Sequence, residues 1–254
     1  MYFFKYTCKS KVKVAKYCAI VGACLACGYV TTFPKLKYYY DATHIQSNTL
    51  CEESQNIMKS IKDRLTITTY VNLFDDSFFW FLPQNRNYDK ERLEKYIRFK
   101  PDTKLKYVYY YAPNGNKALE EKYPGMSMEE IAQELCKVHN VDLKDFLTPD
   151  EIAKVIDLEP EKFKCLRIVE DEHGHKEVMR MYNDNQKLPN EEEMSMIFNK
   201  LVNKSQMVAF AEGYGARAID NYGARGYYLV GYDKWFRHSL YNLGFDVKKL
   251  DLDS

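Results

Sequence analysis

The sequence lacks an excess of charge of either sign. Its 254 residues carry 37 lysines and arginines against 36 aspartates and glutamates, a formal net charge of +1. Proteins that bind nucleic acid through bulk electrostatics are strongly basic, so this balance disfavours that class and predicts no nucleic-acid partner. The charges are unevenly placed, because residues 1–16 hold five lysines and no acid.

A recognisable disulfide framework is also missing. Of the seven cysteines, Cys18, Cys24 and Cys27 lie in an apolar segment close to the N-terminus, and the other four are scattered. The spacing Cys24-x-x-Cys27 is that of a redox or zinc motif, but thiols in an apolar helix lack the partly exposed, electropositive surroundings that such chemistry needs. We therefore predict neither a metal nor a cofactor.

The uncharged segment is the stretch of residues 17–33, which follows the basic head. Its length is near the lower limit for a helix that crosses a bilayer, which needs about 20 apolar residues. Pro34 and Lys35 end it. Residues 1–35 are therefore predicted to form a basic cytoplasmic head and a membrane anchor, and the positive-inside rule places the rest of the chain outside the cytoplasm, in the periplasm.

Three other interpretations of this segment stay open. It could be a buried core helix, or a signal peptide that is cleaved. Residues 21–24 also resemble a bacterial lipobox, which would make Cys24 a lipidated N-terminus. Lys16 leaves a short apolar core before Cys24, which favours a retained anchor.

Beyond the anchor, periodicity and capping residues predict alternating helices and strands. The predicted helices are 53–61, 88–99, 128–139, a short one opened by Thr148 and Pro149, and 191–203 capped by Asn190; the predicted strands are 65–73, 104–111, 162–169 and 176–183.

From the first strand, this order is βαβαββα, the connectivity of thioredoxin-like folds. Redox members of that fold carry Cys-x-x-Cys at the start of the helix after the first strand. The corresponding connection here, residues 74–87, contains no cysteine. We predict a thioredoxin-like α/β domain over residues 36–204 without an oxidoreductase site.

The remaining residues, 205–254, predict one parallel βαβ unit. Strands are expected at 207–212 and 245–252, with a helix at 233–244 between them. A single unit leaves strand edges unpaired, so it corresponds to the start of a Rossmann-like domain. This incompleteness leads us to expect a fragment or a split chain.

The first of these strands ends in a glycine segment that resembles a dinucleotide-binding fingerprint. Gly213 and Gly215 flank Tyr214, and Ala218 follows. The fingerprint requires a helix that begins at the glycines and an acid about 20 residues further on. Asn221, Gly223 and Gly226 interrupt any such helix, so a nucleotide site is disfavoured.

A nucleophile elbow is disfavoured as well, since Tyr214 stands where serine or cysteine would be needed. The glycines instead predict a sharp turn at the end of a strand, where parallel sheets place ligand-binding loops. Tyr-Gly-Ala-Arg occurs twice, at 214–217 and 222–225. The loop is a structural insert or a candidate ligand or partner site with no catalytic residues; the site residues are Glu212, Gly213, Tyr214, Gly215, Arg217 and Arg225.

Two other segments invite a functional interpretation. His173-Gly174-His175 offers metal-ligand types, but no third histidine is near in sequence, so a solvated turn is favoured. Tyrosines in residues 107–112 alternate as in a strand buried on one face; core packing is favoured over a glycan platform.

The segment Tyr40-Asp41-Ala42-Thr43, followed by Thr49-Leu50, Ser54 and a helix that leads to a strand, carries a family resemblance. It resembles the start of the extracytoplasmic region of gliding-motility-type ABC transporter auxiliary proteins, which are substrate-binding-like. That family continues with a strand that ends in Gly-His-Gly-Glu, and residues 208–216 stand in that place. The resemblance extends over residues 36–254.

The resemblance implies a thioredoxin-like domain and a Rossmann-like domain related in fold to class I amidotransferases but without their catalysis. It also implies partners, the permease and ATPase subunits of a transporter, and a membrane. The chain departs from the family pattern at four positions, Ala42, Cys51, Tyr214 and Ala216. Tyr214 and Ala216 replace the family's histidine and glutamate, whose roles therefore cannot be transferred to the loop.

Three functions follow as expectations. The first is a non-enzymatic, membrane-anchored auxiliary component of an ABC transporter, with its ligand unknown. The second is an amidotransferase- or hydrolase-like enzyme that uses the Gly213–Gly215 turn. The third is a carbohydrate-binding module.

Overall fold

The computed structural model describes residues 3–33, 38–46, 48–213 and 215–251, and within these ranges the side chains from Val12 to Leu250. Pro34, Lys35 and Tyr214 therefore lie outside the described residues. The chain divides into two compact units, residues 1–49 and 50–254.

The first unit consists mainly of helix α1, Phe3–Val30. This helix contains most of the basic head and most of the predicted apolar segment, residues 17–33. Its stretch Val12–Val30 is long and apolar enough to cross a membrane. A signal sequence near the N-terminus would have the same length and composition. The apolar side chains of this stretch are exposed; Leu25, for example, is 70% exposed. Helix α1 is thus not a buried core helix in this structure.

After α1, Thr43, Asn48 and Thr49 gather around the carboxylate of Asp41. One oxygen accepts hydrogen bonds from the Thr43 amide (3.0 Å) and the Thr43 hydroxyl (2.6 Å). The other accepts from the Asn48 amide (2.9 Å) and the Thr49 hydroxyl (3.1 Å). These bonds, that of the Thr43 hydroxyl first, hold the pKa of Asp41 below its ordinary value. Asp41 therefore closes a short loop on itself.

The second unit begins with a four-stranded sheet and its helices. Its elements are α2 (Glu52–Ser60), β1 (Thr66–Asn72), α3 (Arg86–Ile97), β2 (Lys104–Tyr110), α4 (Lys117–Lys122), α5 (Met128–His139), α6 (Pro149–Val155), β3 (Leu166–Glu170), β4 (Lys176–Arg180) and α7 (Glu191–Val202). Each predicted element up to residue 203 is present within a few residues, and α4 was not predicted. Capping boxes open α5, α6 and α7 at Ser127, Thr148 and Asn190, which explains why these starts could be predicted.

The sheet order is β2-β1-β3-β4. β1 and β2 are parallel, and β3 is antiparallel to both β1 and β4. The carboxyl ends of β1, β2 and β4 and the start of β3 consequently meet at one edge of the sheet. The β3–β4 hairpin turn lies at the opposite end.

Apolar side chains cover both faces of this sheet. Ile67 and Val169 pack with α2, α3 and α7 through Met58, Leu93 and Phe198. On the other face, Tyr70, Tyr110 and Ile168 pack with Ile152 of α6, alongside other residues. The unit therefore has helices on both faces of a mixed sheet, an α/β architecture.

A buried ion pair joins α3 to the sheet. Arg167 on β3 donates to the Asp89 carboxylate on α3, and both side chains are almost fully buried. Tyr107 of β2 donates to the second Asp89 oxygen (2.7 Å), and Arg167 also donates to the Thr69 hydroxyl (3.2 Å). Charges in a core are tolerated when every partner is hydrogen-bonded in this way.

The C-terminal part contains a separate two-stranded sheet. β5 (Met207–Glu212) pairs in parallel with β6 (Asp246–Asp251), with Met207 opposite Asp246. The parallel pairing agrees with the predicted βαβ connection. A four-residue helix, α8 (Tyr228–Gly231), lies between the strands.

The predicted helix over residues 233–244 is wrong. This segment is a succession of turns, in which side chains replace the helical hydrogen bonds. Asp233 accepts from the Trp235 and Phe236 amides (2.8 and 3.1 Å). Asn242 donates through its side-chain amide to the carbonyls of Asp233, Lys234 and Phe236 at 3.2, 3.2 and 2.8 Å.

Candidate functional site

The glycine segment after β5 forms the sharp turn that its composition suggests. Gly213 and Gly215 have φ of 108° and 79°, in the left-handed region that favours glycine. The Ala216 amide donates to the Gly213 carbonyl (2.9 Å) and closes the turn. The predicted site residue Tyr214 lies outside the described residues, so a role for it stays a prediction.

Glu212, the last residue of β5, is engaged in the loop itself. One of its oxygens accepts from the Ile219 amide (2.8 Å), and the other pairs with Lys249 of β6 (3.2 Å). Lys249 also pairs with Asp220 (2.6 Å). Glu212 therefore joins both strands to the loop, and its carboxylate has a structural role.

The two arginines are exposed charged residues of the predicted site. Arg217 and Arg225 are both exposed, and the Arg217 guanidinium lies 5.8 Å from the centre of the Tyr227 ring. Tyr222 and Tyr228 of the same loop stack with ring centres 3.6 Å apart. Their mutual hydrogen bond and partial burial raise the pKa of Tyr228 to about 12. This surface is basic and aromatic.

A phosphate cradle is not formed by the described part of this loop. Residues 215–227 contain turns and no helix, so no helix N-terminus faces the glycines. Gly226 has a packing role instead, because a Cβ at this position would stand 1.8 Å from the Asn221 carbonyl oxygen. Close backbone contacts therefore shape this part of the loop.

A second candidate site lies at the edge of the four-stranded sheet where β1, β2 and β4 end. It is a cavity of about 320 Å³. Its lining residues are Asp75, Asp76, Ser77, Asn114, Gly115, Asn116, Lys117, Lys164, Cys165, Met181, Tyr182, Asn183 and Lys187. They come from four segments that are far apart in sequence, and we call this cavity the sheet-edge pocket.

Hydrogen bonds fix the acidic side of the sheet-edge pocket. Asp75 accepts from the Ser77 amide (2.7 Å), and Asp76 accepts from the Asn116 side chain (3.0 Å). Asn116 also donates to the Phe74 carbonyl (3.0 Å). The loop after β1 is thereby joined to the loop after β2.

The basic side is formed by Lys164, which lies in the irregular segment just before β3. The Lys164 ammonium donates to the Asn183 side chain (3.1 Å) and lies 5.0 Å from the centre of the Trp235 ring. Burial lowers the pKa of Lys164. A partly dehydrated ammonium opposite carboxylates suits polar recognition of a ligand or a partner segment.

Cys165 lines the same pocket but is unsuited to redox chemistry. Its side chain is 1% exposed, and burial, together with the nearby charge of Asp75, raises the pKa of the thiol well above its ordinary value. The thiolate is the reactive form of cysteine. All six described cysteines, Cys18, Cys24, Cys27, Cys51, Cys136 and Cys165, are free thiols.

The tyrosine-rich strand β2 is structural. Tyr109, Tyr110 and Tyr111 are 4%, 0% and 6% exposed. Tyr109 donates to the Phe81 carbonyl (2.8 Å). Core packing is confirmed for these three residues, but burial on one face only was wrong, because Tyr110 packs in a different cluster from Tyr109 and Tyr111. A glycan platform formed by these three buried side chains is excluded.

The sequence interpretation missed the sheet-edge pocket. The available signal was the placement of polar residues directly after β1 and β2, at Asp75–Ser77 and Asn114–Asn116. The contribution of Lys164 and Asn183 could not be anticipated without the order of the strands.

No protein-family model matches the chain, and comparison with curated proteins and with solved structures finds no match.

Proposed function

We propose that the protein is a non-enzymatic, membrane-anchored auxiliary component of an ABC transporter of the gliding-motility type. In this proposal α1 is a retained anchor, residues 50–254 lie outside the cytoplasm, and the permease and ATPase subunits are the partners. Support comes from the exposed apolar stretch Val12–Val30 behind a lysine-rich head.

The proposal extends to the fold. The strand order β2-β1-β3-β4, with β3 antiparallel to its neighbours, supports a thioredoxin-like assignment of the first sheet. The parallel pairing of β5 with β6 supports a Rossmann-like assignment of the second, whose site is the loop of Glu212, Gly213, Gly215, Arg217 and Arg225.

One observation carries the non-enzymatic part of the proposal, namely the content of the sheet-edge pocket. Where redox members of a thioredoxin-like fold place Cys-x-x-Cys, this chain has Asp75-Asp76-Ser77. The cysteine among the lining residues, Cys165, is buried with a raised pKa. Such a pocket can hold a polar ligand or partner segment, and it lacks an activated thiol to react with one.

The aspartate loop next to the anchor fits the same proposal. Asp41, Thr43 and Thr49 belong to the segment that resembles the transporter auxiliary proteins, and both threonine hydroxyls donate to the Asp41 carboxylate. Their joint occurrence in the sequence therefore has a structural reason, the closure of the loop that follows the anchor.

Thiol labelling of the full chain in intact cells tests the proposal. Cys51 is exposed and lies beyond the anchor, whereas Cys8 belongs to the basic head. A membrane-impermeant maleimide is expected to label Cys51 in intact cells and Cys8 only after permeabilisation. The matched controls are Cys51→Ser and Cys8→Ser, each of which removes one signal.

Labelling of Cys51 only after permeabilisation would place the domain in the cytoplasm and refute the proposal. Release of the labelled domain from membranes at alkaline pH would show instead that the anchor is cleaved. Co-purification of the detergent-solubilised chain with a permease and an ATPase then tests the partners.

A further inference from the structure

The tip of the β3–β4 hairpin, at the end of the sheet opposite the sheet-edge pocket, brings together metal-ligating side chains. Glu172 and His173 lie in the hairpin turn, and Asp63 lies in the connection that precedes β1. One potential ligand atom from each residue falls within 4.8 Å of the other two. The sequence favoured a solvated turn because no third histidine was near; the structure adds Asp63, a carboxylate ligand from a distant part of the chain.

The hairpin tip has a fixed conformation without help from an ion. The buried Asp171 carboxylate accepts from the backbone amides of His173 and His175, at 2.8 and 2.9 Å. Its other oxygen lies 2.8 Å from Nδ1 of His175. Gly174 supplies the left-handed residue of the turn, with φ of 85°. His173 is therefore presented by a defined backbone.

The spacing of the donors fits one ion. Nε2 of His173 and Oδ1 of Asp63 are 3.4 Å apart. A tetrahedral Zn²⁺ with bonds of about 2.0–2.1 Å has ligand-to-ligand edges of about 3.3–3.4 Å. These two atoms thus already stand at the separation that a shared ion imposes. A carboxylate oxygen of the exposed Glu172 lies within 4.8 Å of both atoms and supplies the third donor.

The donor set also selects the kind of ion. One imidazole nitrogen and two carboxylate oxygens suit a borderline divalent transition metal, and they are too few and too mixed for the oxygen-rich shells of Ca²⁺. Two carboxylates near one another repel when no cation lies between them, and a divalent ion removes that repulsion. A fourth position is open to water.

We propose that Asp63, Glu172 and His173 form a binding site for a zinc-class divalent ion at the hairpin tip. Bound there, the ion cross-links the hairpin to the connection before β1. The site lies at the end of the sheet opposite the sheet-edge pocket and does not depend on the proposed transporter role.

Titration of the full-length chain in detergent, with any affinity tag removed, tests this. Zn²⁺ is the probe for isothermal titration calorimetry, and Co²⁺ is the probe for the visible absorption bands of a tetrahedral ion. We expect one saturable Zn²⁺ site per chain. His173→Ala and Asp63→Asn are each expected to weaken binding at least by the roughly 10–100-fold that loss of an outer-sphere partner costs.

His44→Ala is the matched control, because His44 is an exposed histidine in the first unit. It is expected to leave the affinity unchanged. Circular dichroism of each variant checks that the fold is retained. Equal Zn²⁺ affinity of the wild type, His173→Ala and Asp63→Asn would overturn the proposal, as would the absence of saturable binding to a folded wild type.

Discussion

The four-stranded region, residues 50–204, and the C-terminal region, residues 205–251, are stabilised by different interactions. The first encloses three clusters of buried apolar side chains. Among the described residues of the second, Ile219 is the only buried apolar side chain, whereas Arg237, Ser239 and Asn242 are buried polar ones. The comparison teaches that apolar burial stabilises the first region, whereas in residues 233–244 polar side chains satisfy the backbone and hold a series of turns.

The C-terminal region is also attached to the first region through charge. Arg237 donates to Asp184 (2.7 Å), to the buried Glu193 (2.9 Å) and to the Leu188 carbonyl (3.2 Å). Lys234 pairs with Glu161 (2.9 Å). These contacts are a small number of directional bonds. A single substitution can remove one of them, whereas it removes only a small part of an apolar core.

Removal of a core ring gives the largest expected effect. Phe198 is fully buried, with its ring centre 5.6 Å from that of Tyr96. We expect Phe198→Ala to lower the free energy of unfolding by about 3–5 kcal/mol, measured by urea denaturation. The matched variant in the other region, Phe210→Ala, removes a half-buried ring and is expected to cost about 1–2 kcal/mol. Similar losses for the two would contradict the comparison.

Loss of the Asn242 side chain is expected to have a smaller and more local effect. Asn242→Ala leaves the carbonyls of Asp233, Lys234 and Phe236 without their donor, at a cost of about 1–3 kcal/mol. Hydrogen exchange is expected to speed up over residues 233–244 and to stay unchanged in β1. The control is Asn203→Ala, an exposed asparagine, with an effect within about 0.5 kcal/mol. Global acceleration would show that the two regions unfold together.

The smallest expected effect concerns pH. Burial raises the pKa of Glu161, but hydrogen bonds and ion pairs with Arg180 and Lys234 outweigh burial and hold it below its ordinary value. The unfolded chain then binds more protons than the folded one, so stability increases with pH in this range. The contribution is complete above about pH 5 and is lost as pH falls below about 4.

The measurement is the urea midpoint between pH 7 and pH 3. Glu161→Gln is expected to flatten the acid dependence relative to the wild type. Glu159→Gln, in the same turn and exposed, is expected to keep the wild-type dependence. An unchanged acid slope in Glu161→Gln would show that this carboxylate does not join the regions.

Much of the first region could be predicted from sequence because its signals are local. Ser127, Thr148 and Asn190 each opened a helix with a capping box, and strand β1 carried β-branched residues. The segment 233–244 could not be predicted in the same way. Its apolar spacing favours a helix, but Asp233 and Asn242 form hydrogen bonds that compete with the helical ladder.

The candidate sites were less predictable than the elements. The glycine turn at Gly213 and Gly215 follows from composition, since only glycine adopts such φ angles at little cost. The sheet-edge pocket and the Asp63–His173 pair depend on strand order and on contacts between distant segments. Neither is encoded in any short stretch of sequence.

The state of the cysteines has a consequence for where the protein can fold. Because the described thiols are all free, no covalent cross-link among them holds the domain together. Cys136 and Cys165 are shielded in the interior, while Cys51 is open to solvent. Residues 50–254 therefore fold without a disulfide among these three cysteines, and a reductant is expected to leave their melting temperature unchanged.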